Sequence, residues 1–184
     1  FLKMITPRYY QTDAYNNAMT WIKSYSDPCL ISIPMGSGKS IIVAMLAKTL
    51  NELSGKRVLC MCPNKELTQQ NYDKFIAIGG KASIYSASIS KSMRYPVVFA
   101  TEQSFIKIAE KFKHEFCAII PDEAHKLTDT FLEIYRILKE GNPNLRVCGL
   151  TATPYQTGKG HIYELDEHNR TVLESNNPFY KKVV

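Results

Sequence analysis

Two short stretches of this chain carry residue types that can do chemistry on a phosphate anhydride. The first is Gly36-Ser37-Gly38-Lys39-Ser40, preceded by Ile33-Pro34-Met35. Small residues let consecutive backbone N–H groups turn inward around an anion, and a helix starting at their end adds its positive dipole end. Lys39 has the reach to hold the β- and γ-phosphates of a nucleotide, and the Ser40 hydroxyl can ligate Mg2+. The long phosphate-loop form GxxxxGK[ST] is not met, because Ile33 stands at its first glycine; the shorter Gly-x-Gly-Lys-Ser form is complete.

The second stretch is Asp122-Glu123-Ala124-His125, directly after the apolar run Phe116-Cys117-Ala118-Ile119-Ile120. Two adjacent carboxylates at a strand end can divide the work. Asp122 holds the hydrated Mg2+, and Glu123 orients and deprotonates an attacking water. With Lys39 these make a catalytic set for hydrolysing Mg-ATP. Pro121, just ahead of Asp122, lacks an N–H and would cost a central strand one ladder bond. At the strand end that is either a tolerated loss or a displacement of Asp122.

Such residues need strands and helices to hold them, and the chain alternates accordingly. Apolar or β-rich runs at 29–33, 57–62, 82–85, 96–100, 116–120 and 145–150 predict strands. Helical periodicity covers roughly 10–25, 39–53, 66–78, 103–113 and 129–140, the last stopped by Gly141-Asn142-Pro143. Repeated β-α-β order predicts an α/β fold with a mostly parallel central sheet and helices on both faces. A ligand site then belongs at the carboxyl ends of the strands. Residues 1–154 read as one such domain, and 155–184 as an extension or linker.

Composition narrows the class further. The 184 residues suit one domain, and 45% hydrophobic content is that of a globular chain. No apolar run is long enough for a bilayer-spanning helix, and Phe1-Leu2-Lys3-Met4 does not open a secretory signal, so a cytoplasmic address and no membrane are expected. Cys29, Cys60, Cys62, Cys117 and Cys148 lie in strand-like runs without CxxC or His at ligand spacing, which predicts reduced, packed thiols. A net charge of +6 favours a polyanionic partner. With no coiled-coil heptad, a monomer is the expected state.

In this order the motifs resemble those of superfamily 2 helicases. Gly36 to Ser40 is similar to motif I and Asp122-Glu123-Ala124-His125 to motif II in its DEAH form. Arg8-Tyr9-Tyr10-Gln11 resembles the element ahead of motif I, Pro63-Asn64-Lys65-Glu66-Leu67 motif Ia, Thr101-Glu102-Gln103-Ser104 motif Ib, and Gly149-Leu150-Thr151-Ala152-Thr153-Pro154 motif III. Residues 151–163, with Gly158-Lys159-Gly160, further resemble RadD-like bacterial DNA repair helicases. Met35 and Pro121 depart from the usual Thr and aliphatic residues.

The resemblance implies the N-terminal RecA-like domain of an ATP-dependent DNA helicase or translocase. Arg8 and Gln11 would serve the nucleotide with Gly36, Ser37, Gly38, Lys39 and Ser40, Gln11 at the adenine edge. Asn64, Lys65, Thr101, Gln103 and Ser104 would line the nucleic-acid track, with DNA preferred to RNA, while His125, Thr151 and Thr153 couple the two sites. It also implies a second RecA-like domain as partner, carrying the arginine finger. Three other readings compete: a degraded phosphate-loop clamp for nucleic acid, an RNA helicase or restriction-type translocase subunit, and a small-molecule kinase. Arg136, Arg146 and Arg170 form no phosphate-gripping cluster in sequence, which weighs against the kinase.

Overall fold

The apolar runs close into one sheet in the computed structural model, which describes residues 6–156, 160–161 and 179–184. In chain order the elements are α1 (Tyr9–Ser24), β1 (Cys29–Ser32), α2 (Lys39–Ser54), β2 (Arg57–Cys62), α3 (Lys65–Ala77), β3 (Ala82–Ser86), β4 (Ser90–Lys91), β5 (Val97–Thr101), α4 (Glu102–Phe105), α5 (Ala109–Phe112), β6 (Phe116–Pro121), α6 (Asp129–Gly141), β7 (Arg146–Thr151), β8 (Tyr155–Gln156), β9 (Gly160–His161) and β10 (Lys182–Val183). The main sheet runs β10-β1-β7-β6-β2-β5-β3-β4. Its pairings are parallel except β3 with the short return strand β4. A separate antiparallel pair joins β8 and β9.

Strand residues alternate between two apolar layers, as a sheet covered on both faces requires. Val58 and Cys60 of β2 face the layer built by α1, α2 and α3, with Ile42, Leu46 and Phe75. Leu59 and Met61 face the other, with Phe105, Phe131, Ile134 and Leu138. Each fully buried Ile, Leu or Phe contributes about 1.5–3 kcal/mol, so the stripe Ile42, Leu46 and Leu50 suffices to pin α2 against the sheet. Two helices are capped by side chains: Asn64 accepts from Leu67 N at 2.9 Å and Thr128 from Phe131 N at 3.0 Å.

Three local outcomes differ from the periodicity. The stretch 103–113 forms two one-turn helices, α4 and α5, because buried Phe105 and Ala109 both anchor to the core while β-branched Ile106 and Ile108 sit in the turn between them. The expected extension 155–184 falls largely outside the described residues, as do Gly158, Lys159 and Arg170, yet its end returns as β10 at the sheet edge beside β1. Pro121 does not displace Asp122. It interrupts the β6–β7 ladder after Ile119↔Val147, and pairing resumes in the same register at Asp122↔Leu150. On the other side Asp122 N still donates to Met61 O at 2.8 Å.

All five cysteines are free, four of them buried, as expected of packed thiols. No described helix is long and apolar enough to cross a membrane.

Candidate functional site

Five parallel strands end on the same edge of the sheet, and each is followed at once by a motif. Across the sheet these are the loop 33–38 after β1, Thr151-Ala152-Thr153 from the end of β7, Asp122-Glu123 after β6, Asn64-Lys65 after β2, and Thr101 to Ser104 after β5. The expected phosphate residues therefore lie on one half of the edge and the expected track residues on the other.

The phosphate loop turns on Gly36 and Gly38, at φ 75° and 79°, both in the left-handed region that only glycine adopts freely. A Cβ on Gly38 would sit 2.5 Å from Gln11 Nε2. Gln11 is 5% exposed and braces the loop: its amide nitrogen donates to Ser37 O at 2.7 Å, and its oxygen accepts from Arg8 N at 2.8 Å. Tyr10 adds a second brace, its hydroxyl donating to the same Ser37 carbonyl at 3.0 Å while accepting from the Arg8 guanidinium. Sequence reading missed Tyr10, whose side chain follows Arg8 but carries no helical-face signal. Ser37 Oγ donates to Pro34 O, closing the turn. Lys39 and Ser40 open α2, so the dipole of a 16-residue helix points into the loop.

Glu123 is the one non-glycine residue with positive φ among the described residues, at 53°. That conformation costs about 1–3 kcal/mol and is found where a site over-determines it. Here it turns the carboxylate to Lys39, Oε1 to Nζ 3.4 Å, and leaves Oε2 3.4 Å from His125 Nδ1. His125 Nδ1 also meets Thr151 Oγ1 at 2.9 Å; Thr151 Oγ1 accepts from Thr153 N at 3.0 Å, and Thr151 O accepts from Ile33 N at 2.9 Å. One chain of contacts thus runs from the loop after β7 through His125 and Glu123 to the lysine of the phosphate loop.

Asp122 is 8% exposed, and both its oxygens have protein donors: Glu123 N to Oδ1 at 2.9 Å and Asn71 Nδ2 to Oδ2 at 2.9 Å. Burial raises its pKa above the ordinary aspartate value; the bonds from Asn71 and Glu123 N oppose the rise, the Glu123 charge adds to it, and Lys39 opposes it. The same burial pushes neighbouring Cys62 up to about 12, so it stays a thiol. Asn71 was not foreseen. Its signal was available: Thr68, Asn71 and Phe75 form the buried stripe of α3, and an amide on such a stripe needs a partner.

The donor set fits Mg-nucleotide. Mg2+ takes one or two carboxylates, a hydroxyl, waters and phosphate oxygens rather than an all-protein cage, and Ser40 and Asp122 are of that kind. No cluster of three or more His, Cys, Asp or Glu that could cage a metal occurs among the described residues. The positive φ of Gly36 and Gly38 is the backbone that a loop needs to turn its N–H groups toward an anion.

The expected track residues divide. Asn64, Lys65 and Gln103 are exposed, Asn64 also serving as the cap of α3 and Gln103 donating to Thr130 Oγ1 at 3.3 Å. Thr101 is half-buried and donates to Ser104 Oγ at 3.0 Å. Ser104 is 6% exposed, its hydroxyl accepting from Ala87 N as well. Its hydroxyl thus braces β5 against the loop after β3.

The family model for the type III restriction enzyme, res subunit, matches residues 4–156. The ATP-dependent DNA helicase uvsW of Enterobacteria phage T4 is 29% identical over 141 residues, 68% of this chain and 26% of that protein. The ATP-dependent DNA helicase fml1 of Schizosaccharomyces pombe is 27% identical over 151 residues, 72% of this chain and 18% of that protein. Among solved structures, the Pyrococcus furiosus Hef helicase domain superposes with a TM-score of 0.68 at 27% identity, covering 83% of this chain and 34% of that one. This chain therefore spans about a quarter or less of the curated relatives, and its fold is that of a RecA-like helicase domain.

Proposed function

The chain belongs to the family of the type III restriction enzyme, res subunit, among the superfamily 2 helicases, and on that premise we propose that it is the first motor domain of a DNA-dependent ATPase. The observation that carries this reading is the strained Glu123 facing Lys39 at 3.4 Å across the mouth of a glycine-turned loop. Lys39 exchanges Glu123 for the β- and γ-phosphates when nucleotide enters, which releases Glu123 to orient and deprotonate the attacking water. Ser40 and Asp122 would hold Mg2+, which when bound would offset phosphate charge and polarise the γ-phosphoryl group. Gln11 and Tyr10 keep the loop in shape by holding the Ser37 carbonyl, and Arg8 and Gln11 border the nucleotide.

DNA is the favoured track because the matched relatives are named DNA helicases. Asn64, Lys65, Thr101 and Gln103 line it, with His125, Thr151 and Thr153 carrying the state of the nucleotide site to the adjacent strand ends. A second RecA-like domain supplies the arginine finger, worth on the order of 10³–10⁵ in rate, so this chain by itself binds nucleotide and turns it over slowly. A degraded-site clamp loses its main support, since Asp122 keeps its register past Pro121.

Calorimetric titration of Mg-ADP into this chain, beside Lys39→Ala, tests the reading. Saturable binding lost in the variant is the expected result. No binding to the wild type at millimolar nucleotide overturns it in favour of the clamp.

A further inference from the structure

A buried carboxylate that ligates a metal must be held still, and the donors that hold it are part of the metal site. Asp122 Oδ1 is held by its neighbour's backbone, Glu123 N. Oδ2 is held by a side chain from a different element, Asn71 of α3, which is 2% exposed. The Asn71 amide cannot be turned over without setting oxygen against oxygen. Its nitrogen spends its second hydrogen on Cys62 Sγ at 3.3 Å, at the end of β2. That contact ties the amide to the end of β2 and serves as an anchor. Each carboxylate oxygen thus receives one protein donor, and the lone pairs left over are those available to a metal or its waters.

We infer that Asn71 is a positioning residue for the metal: it fixes the plane of the Asp122 carboxylate so that Mg2+ finds a preformed ligand. The inference rests on the nucleotide-site reading above. A purely structural role, filling space and satisfying a buried carboxylate, would lower stability and leave metal dependence alone.

The experiment is ADP binding to this 184-residue chain, once in EDTA and once in saturating Mg2+, for wild type, Asn71→Leu and Asn71→Asp. Leu keeps the volume and removes the donor; Asp keeps the shape and sets an acceptor against Asp122. Removing an outer-shell partner costs about 10–100-fold in metal affinity. Both variants should therefore lose about 10-fold or more of Mg2+ affinity in the ADP complex, read by titrating Mg2+ at fixed ADP, with metal-free ADP affinity unchanged. In an Asp122→Asn background, Asn71→Leu should have no further effect on the Mg2+ titration. Should one variant fail to fold by circular dichroism, the other carries the test, and if both fail, wild-type-like Mg2+ affinity in Asn71→Ser, which cannot reach Asp122, overturns the inference. An unchanged Mg2+ titration in a folded Leu or Asp variant overturns it too, leaving the nucleotide reading intact. Wild type that binds no ADP in either condition overturns both.

Discussion

Substituting Gly38 by Ala tests whether the phosphate loop is shaped by glycine alone or by glycine against Gln11. Two costs add. A non-glycine residue at φ 79° costs about 1–2 kcal/mol for its left-handed backbone. The new Cβ would also lie 2.5 Å from Gln11 Nε2. That atom ends a flexible side chain and would ordinarily swing aside at little cost, but here both ends of the amide are bonded in a 5% exposed position. Pushing it out forfeits at least one buried hydrogen bond, about 1 kcal/mol. Gly38→Ala should therefore destabilise the chain by about 2–3 kcal/mol, whereas Gly36→Ala, at φ 75° with nothing within 4 Å of its Cβ, carries only the backbone share of about 1–2 kcal/mol. The decisive assay is a double-mutant cycle by urea unfolding. In a Gln11→Ala background Gly38→Ala should cost about 1 kcal/mol less than in wild type, because the clash is gone. Equal costs in the two backgrounds would refute the idea that Gln11 is wedged against the loop.

Two further predictions concern the track side and the acid response. Asn64→Ala should lose about 1 kcal/mol of stability by uncapping α3, while Asn64→Asp keeps the cap and sets a carboxylate where a phosphate would lie; thermal melts beside anisotropy of a labelled single-stranded oligonucleotide should show Asp stable but weak in binding, and Asp binding as tightly as wild type would make Asn64 a cap and nothing more. Glu102 has its pKa raised, chiefly by burial, with the Thr128 hydroxyl bond opposing. A raised folded-state value means that the folded chain binds the proton more tightly, so this contribution is present at low pH and lost as pH rises through the ordinary carboxylate range to the raised value. Glu102→Gln, whose carbonyl can still accept from Thr128, should gain stability relative to wild type across that rise; a pH-independent difference in urea midpoint would show that Glu102 does not titrate with folding.

What the sequence made legible, and what it did not, follows from the range of the interactions involved. The placement of Gly36 to Ser40 and of Asp122-Glu123 at strand ends was readable because each motif is written in adjacent residues and follows an apolar strand of the expected length. Pro121 could be flagged but not judged: whether its missing N–H matters depends on which neighbour that position faces, and the loss falls on the β7 side while Asp122 still bonds to Met61. Asn71, and the bracing of the loop by Gln11, needed the third dimension, since each acts on a residue 51 or 26 positions away. Ser104 needed it in the opposite sense, a polar first-turn residue that folding buries. The return of β10 to the edge beside β1 had no local signal, because two paired residues carry too little pattern to be read. The arrangement itself has a simple cause. Parallel strands joined by right-handed crossovers bring every strand's carboxyl end to one edge. Five motifs scattered over more than a hundred residues of chain become five neighbours in the order β1, β7, β6, β2, β5. In that order the strands ending in Thr151 and Asp122 stand between the phosphate loop and Asn64. On the function proposed above, a change at the nucleotide is felt at the other end of the edge through His125, Thr151 and Asp122, or through α3.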